Sequence, residues 1–121
     1  MSQTTTLILL PQTTWASNVA NGNSYTVVGN SQPAASYVIS PRDLQTVNVN
    51  LSDVNGNIII QATLATNPGE NDWFKVYEIE ASDQGNANLS TYTNIEGSYV
   101  YMRAKVEDFS QGVVNFVKLS Y

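Results

Sequence analysis

A chain of 121 residues with no cysteine and no histidine has the length of one domain, and it lacks disulfides, thiolate nucleophiles and the commonest metal ligand and neutral-pH base. Only 12% of its residues are charged, against about 25% in an average soluble domain, so solubility falls to Ser, Thr, Asn and Gln. The net charge is −5 and the basic residues Arg42, Lys75, Arg103, Lys105 and Lys118 are dispersed, which argues against nucleic acid as a partner, because phosphate binding rests on clustered Lys and Arg.

Short apolar runs separated by Gly, Asn, Pro and Ser clusters predict an all-β chain. The N-terminus has no basic stretch, and Leu7 to Leu10 is too short for a signal-peptide core or a membrane span. No secretory route and no membrane partner are therefore expected. Thr4 to Leu10 is the first predicted strand and ends at Pro11. Tyr25 to Val28 is the second, placed between the turn-like Asn21-Gly22-Asn23 and Gly29-Asn30. Gln32 to Ala35 reads as loop, and Tyr37 to Ile39 as a short strand closed by Pro41.

In the middle of the chain Val47, Val49 and Leu51 alternate with Asn48 and Asn50, the period of two that gives a strand one buried face. Asn55-Gly56 follows, and Asn-Gly between apolar runs signals a hairpin. The return strand is expected from Asn57 to Ala65, buried near Ile58-Ile59-Ile60. After the turn at Pro68-Gly69, Trp73 to Ala81 reads as strand, with a helix as the alternative because short apolar runs are ambiguous. Ser82 to Asn88 reads as polar loop, and Leu89 to Thr93 as a weaker strand. From Tyr99 to Val106, Val100, Met102, Ala104 and Val106 alternate with Tyr99, Tyr101, Arg103 and Lys105. Ser110-Gln111-Gly112 is expected to close a second hairpin onto Val113 to Leu119. Roughly eight or nine short strands around one core predict a two-sheet sandwich of jelly-roll type.

Little in this pattern carries chemistry. Asp53, Asn55 and Asn57 recur at alternate positions, but the Gly placement and closing Glu of a calcium loop are missing. Glu78 and Glu80 share one strand face. A glycosidase pair flanks a bond from separate elements, so two solvated carboxylates explain them better. No nucleophile elbow or phosphate loop occurs, so neither an enzyme nor a cofactor or metal is expected. The aromatic residues are the better lead. Tyr99, Tyr101, Arg103 and Lys105 fall on one strand face opposite the apolar set, and Tyr beside Arg is the composition of interface centres. These four are the candidate binding or interface residues. Packing of the same rings across an outer sheet surface is the alternative.

From about Tyr37 to the C-terminus the sequence resembles small virion proteins of tailed bacteriophages, particularly those infecting marine cyanobacteria. The residues that carry the resemblance are Asp43-Leu-Gln-Thr-Val-Asn-Val-Asn-Leu51, Ile60-Gln-Ala-Thr-Leu-Ala-Thr-Asn-Pro68, Asp72-Trp-Phe74, Asn94-Ile-Glu-Gly97 and Tyr101-Met-Arg-Ala-Lys-Val106 with Gly112. The resemblance implies a structural or decoration part of a virion, made in the host cytoplasm and attached to capsid, neck or tail proteins, and a homo-oligomer. It implies no catalytic residues. Residues 1–36 lie outside it and are a possible attachment segment for a core of residues 37–121. The alternative is a carbohydrate-binding module of a receptor-binding fibre, using exposed Trp and Tyr against a surface glycan.

Overall fold

The computed structural model describes residues 6–15, 25–38, 43–82 and 85–121. Among these residues eight strands occur: β1 (Thr6–Leu10), β2 (Thr13–Thr14), β3 (Tyr25–Val28), β4 (Gln32–Pro33), β5 (Leu44–Thr63), β6 (Phe74–Ala81), β7 (Leu89–Glu96) and β8 (Tyr101–Ser120). Helix α1 (Ala35–Val38) stands between β4 and β5, and one 3-10 turn (Glu70–Asp72) precedes β6. All pairings between these strands are antiparallel and join them into one sheet.

The two twenty-residue strands organise the rest. β5 and β8 pair along almost their whole lengths, from Thr46 opposite Ser120 to Thr63 opposite Tyr101. On the far side of β5, β7 pairs with Leu44 to Leu51 and β6 with Gly56 to Ala62. On the far side of β8, β3 and β4 pair with its first half, and β1 and β2 with its second.

This long ribbon is folded, and the burial pattern records where. In β5 the buried positions alternate as Gln45, Val47, Val49 and Leu51, then as Val54, Gly56, Ile58, Ile60 and Ala62, with Ile59 and Thr63 buried as well. The parity changes around Asp53, whose φ is 56°. In β8 it changes from Met102, Ala104 and Val106 to Phe109, then to Val114, and again to Val117 and Leu119. Asp108 there has φ 55° and Gly112 has φ 92°. An extra residue at a bulge turns a strand and swaps its faces, and left-handed backbone favours Gly, Asp and Asn. Gly112 is also needed for space, because a Cβ there would collide with the carbonyl of Asp53 on the facing strand.

The ends of β5 then come together. Ala35 N–H donates to Gln45 Oε1 at 3.1 Å, Ser36 Oγ donates to the Tyr99 carbonyl at 3.0 Å, and Val100 N–H donates to the Thr63 carbonyl at 2.9 Å. A straight strand of this length would hold its ends roughly 66 Å apart. Both halves therefore bury their apolar faces in one cluster, in which Val47, Val49, Val117 and Leu119 join Ile58, Ile60, Met102 and Ala104.

Several expectations are corrected. Neither predicted hairpin forms. Residues 44–63 are one strand and residues 101–120 another. The two-residue hairpin turns need positive φ at one or both central residues, and neither Asn55 nor Gly56 has it. Tyr37 lies in α1 instead of a strand, and Gln32–Pro33 is a short strand instead of loop. The strands read at Tyr25 to Val28, Trp73 to Ala81 and Leu89 to Thr93 are present as β3, β6 and β7, the last running on to Glu96. Ile58, Ile59 and Ile60 are all buried. Residues 4–5, the 21–23 turn, Ile39, Pro41 and residues 83–84 of the polar loop lie outside the described residues. No helix among the described residues is long and apolar enough to cross a membrane.

Candidate interface at the end of the sheet

The folding of β5 and β8 puts α1, the end of β5, the start of β6 and the start of β8 at one end of the sheet. Pro33, just before α1, pairs with Tyr101, Thr63 pairs with Tyr101 from the other side, and Ala62 pairs with Phe74. Aromatic and aliphatic side chains collect there. Tyr37, Val38 and Leu64 are more than half exposed, at 51%, 53% and 64%, and Phe74 is 40% exposed. The Tyr37 and Tyr101 rings lie 5.4 Å apart and tilted, and the Phe74 ring meets Tyr99 edge-on at 5.8 Å. Both spacings are within the favourable range for aromatic pairs.

The four candidate residues divide into three environments. Tyr99 precedes β8, half-buried, with its ring over Gly97, where a Cβ would strike it. Tyr101 opens β8 and is half-buried beside Tyr37. Hydrogen bonding to Tyr37, then the charge of that neighbour, holds the Tyr101 phenol above the usual tyrosine value. Arg103 points away from the apolar set, yet only 7% of it is exposed. Its Nε donates to Gln61 Oε1 at 2.8 Å and its Cζ stands 4.3 Å from the centre of the Trp73 ring. The nearby Glu70 carboxylate, 3.5 Å from Nη2, is 85% exposed and adds little, because solvent screens such pairs. Lys105 is half-buried and pairs with Glu107 at 2.8 Å.

Tyr99 and Tyr101 are thus brought together with the exposed surface, while Arg103 anchors Trp73 underneath it and Lys105 lies further along the strand. The sequence reading missed Tyr37, Leu64 and Phe74, because each comes from a different element. The aromatic pair Trp73-Phe74, separated from the Pro68-Gly69 turn by three residues, was the available signal.

A polar side chain holds this end in place. Gln45 is fully buried. Its Oε1 accepts from Ala35 N–H, and its Nε2 donates to the carbonyls of Ile95 at 2.7 Å, Asp43 at 3.2 Å and Gly97 at 3.4 Å. A buried amide with its donors and acceptor satisfied fixes one arrangement of the surrounding backbone.

A concavity of about 490 Å³ opens between β6 and β7, lined by Tyr77, Glu78, Ile79 and Glu80 with Asn86, Leu89 and Thr91. Glu78 and Glu80 both reach it. Glu78 is paired to Lys75 at 2.8 Å, and this pairing raises the Lys75 pKa. Among the described residues no three Asp or Glu side chains converge as a metal site would need. At Asp53, Oδ1 accepts from Gln111 Nε2 at 3.4 Å. A scan against protein-family models finds no match to the chain, and a search of curated proteins finds none either.

Proposed function

We propose that this chain is a non-enzymatic structural or decoration protein of a tailed-bacteriophage virion, made in the host cytoplasm and acting through contacts with capsid, neck or tail proteins and with its own copies. The observation that carries the reading is the exposed aromatic end formed by Tyr37, Leu64, Phe74, Tyr99 and Tyr101. Exposed rings held by packing lose little freedom on binding, and Tyr is enriched at interface centres. The ordered series of residues resembling small phage virion proteins supports the same reading. The folded ribbon, with five strand segments in each half, further supports a sandwich of jelly-roll type in which the halves of β5 and β8 belong to opposite layers.

A glycan-binding module of a receptor-binding fibre is the second reading, favoured by the cleft that sets Tyr77 beside Asn86 and Thr91. Density-gradient fractionation of lysed host cultures, with peptide mass spectrometry, separates the two. Co-sedimentation with particles, lost in a Tyr37→Ser and Phe74→Ser variant, is the expected result. A chain absent from particles but retained on host surface polysaccharide overturns the assembly reading in favour of the second.

A further inference from the structure

A sheet edge offers unpaired N–H and C=O groups to any other strand, and proteins blunt such edges with brevity, bulges, proline or charge. The outer strands of this sheet can be compared for those devices. β1 has a register shift at Ile8 to Leu10 and is followed by Pro11, β2 has two residues, β3 has a register shift after Tyr25, and β4 is two residues including Pro33. β6 carries Lys75, Glu78 and Glu80 and a shift opposite Ile60 to Gln61.

β7 has none of these before its last residue. Its eight residues, Leu-Ser-Thr-Tyr-Thr-Asn-Ile-Glu, run opposite Leu51 to Leu44 in unbroken register, with no proline, no Lys or Arg, and a single charge at the last position, Glu96. Among the described residues it pairs only with β5, and the β5 segment behind it, Leu44 to Leu51, is uncharged as well. Tyr92, at its centre, is 69% exposed, the highest value among the large hydrophobic side chains.

We propose that β7 is a self-association edge, which adds the β7 strand of a second copy antiparallel across a two-fold axis and joins two sheets into one. The proposal rests on the assembly reading above and names a surface distinct from the aromatic end. The occupant follows from charge. A chain of net charge −5 repels its own copies, so they meet best where charge is absent. With the axis at Tyr92, Thr91 faces Thr93, Ser90 faces Asn94, and Glu96 faces Asn88 of the other copy. No like charges are opposed. On β6 a two-fold axis at Glu78 would set that carboxylate against its own copy, and one at Ile79 would set Glu78 against Glu80 twice; like charges directly opposite are destabilising. The contact is isologous, so it closes at two copies.

Sedimentation equilibrium over a range of concentrations tests this, with Tyr92→Glu and Thr93→Lys as edge variants and circular dichroism to verify that both fold. Wild type is expected to show a monomer–dimer equilibrium, and each edge variant to weaken it by about tenfold or more. Amide exchange should slow along β7 only at dimer-forming concentrations. A wild type that stays monomeric overturns the proposal, even where particles protect β7, since the occupant would then be another chain. A dimer unaffected by both folded variants overturns it too. Failure of the assembly reading appears separately, as loss of co-sedimentation with particles.

Discussion

The phenol of Tyr121 donates a 2.8 Å hydrogen bond to the carbonyl of Pro33, which ties the last residue of the chain to the strand that pairs with the beginning of β8. Tyr121 is 1% exposed, so one contact closes the folded ribbon and buries the polar end of its own side chain. Tyr121→Phe removes the hydrogen bond and leaves the Pro33 carbonyl short of a donor, at an expected loss of about 1–2 kcal/mol, measurable by urea unfolding.

Burial also raises the Tyr121 phenol above its ordinary value. A group whose folded pKa lies above its unfolded one gives stability that is complete below the unfolded value, about 10 for tyrosine, and is lost as pH rises through the folded value. Stability should therefore fall above about pH 10. Tyr121→Phe should reduce that alkaline loss without abolishing it, because Tyr101 is raised as well.

The bend makes separate demands on backbone and space. Gly112→Ala meets both left-handed φ and the Asp53 carbonyl, so a loss of about 2 kcal/mol or more is expected. Asp108→Gly keeps the same left-handed φ without a side-chain penalty and should range from neutral to about 1 kcal/mol stabilising. Asp108→Val should instead destabilise by about 1–2 kcal/mol. Thermal melts of the three variants give this order, and an Asp108→Val variant as stable as Asp108→Gly would remove strain from the account of the fold.

Core and carboxylate positions should differ sharply. Val49 and Ile60 are buried, from opposite halves of β5. Val49→Ala or Ile60→Ala should lose roughly 1–4 kcal/mol, as transfer energy plus a cavity. Glu80→Gln removes an exposed charge and should change stability by less than about 0.5 kcal/mol. If that substitution abolished binding in a folded protein, the cleft between β6 and β7 would become the functional site.

The strands were legible where alternation is local. Val47, Val49 and Leu51, and later Met102, Ala104 and Val106, announce a buried face by period two, and those faces are buried. The hairpins misled because a hairpin and a bent ribbon both place turn residues between apolar runs. Asn55-Gly56 and Ser110-Gln111-Gly112 look alike in either case. The difference lies in which strand each run pairs with, and that is settled by contacts some fifty residues away, such as Ile58 opposite Val106. Alternation likewise turns Arg103 away from the core, but not the Trp73 ring that covers it from a different element. Tyr37 reaches Tyr101 only because α1 caps the end of the sheet.

That cap leads to the prediction with the widest reach, at Gln45. Its amide joins α1, through Ala35, to the end of β7 and the turn beyond it, through Ile95 and Gly97. Gln45→Leu roughly keeps the volume and removes every one of these side-chain bonds. It leaves the buried Ala35 N–H without its acceptor and the buried Ile95 carbonyl without this donor, while the Asp43 carbonyl keeps the Gly97 N–H at 2.8 Å. The expected loss is about 2–4 kcal/mol, since unsatisfied buried groups keep their full desolvation penalty. The damage should be directional. With Ala35 released, α1 no longer holds Tyr37 against Tyr101, so the Tyr101 phenol should return toward its ordinary value. Ultraviolet titration of phenolate in Gln45→Leu, beside Tyr37→Phe as a reference, reads this directly. Both variants should titrate part of their tyrosine earlier than wild type, while amide exchange in the centre of β5 stays slow. A Gln45→Leu variant that melts earlier but leaves the Tyr101 titration unchanged would mean that α1 is held by packing alone, and that the aromatic end keeps its shape without the buried amide.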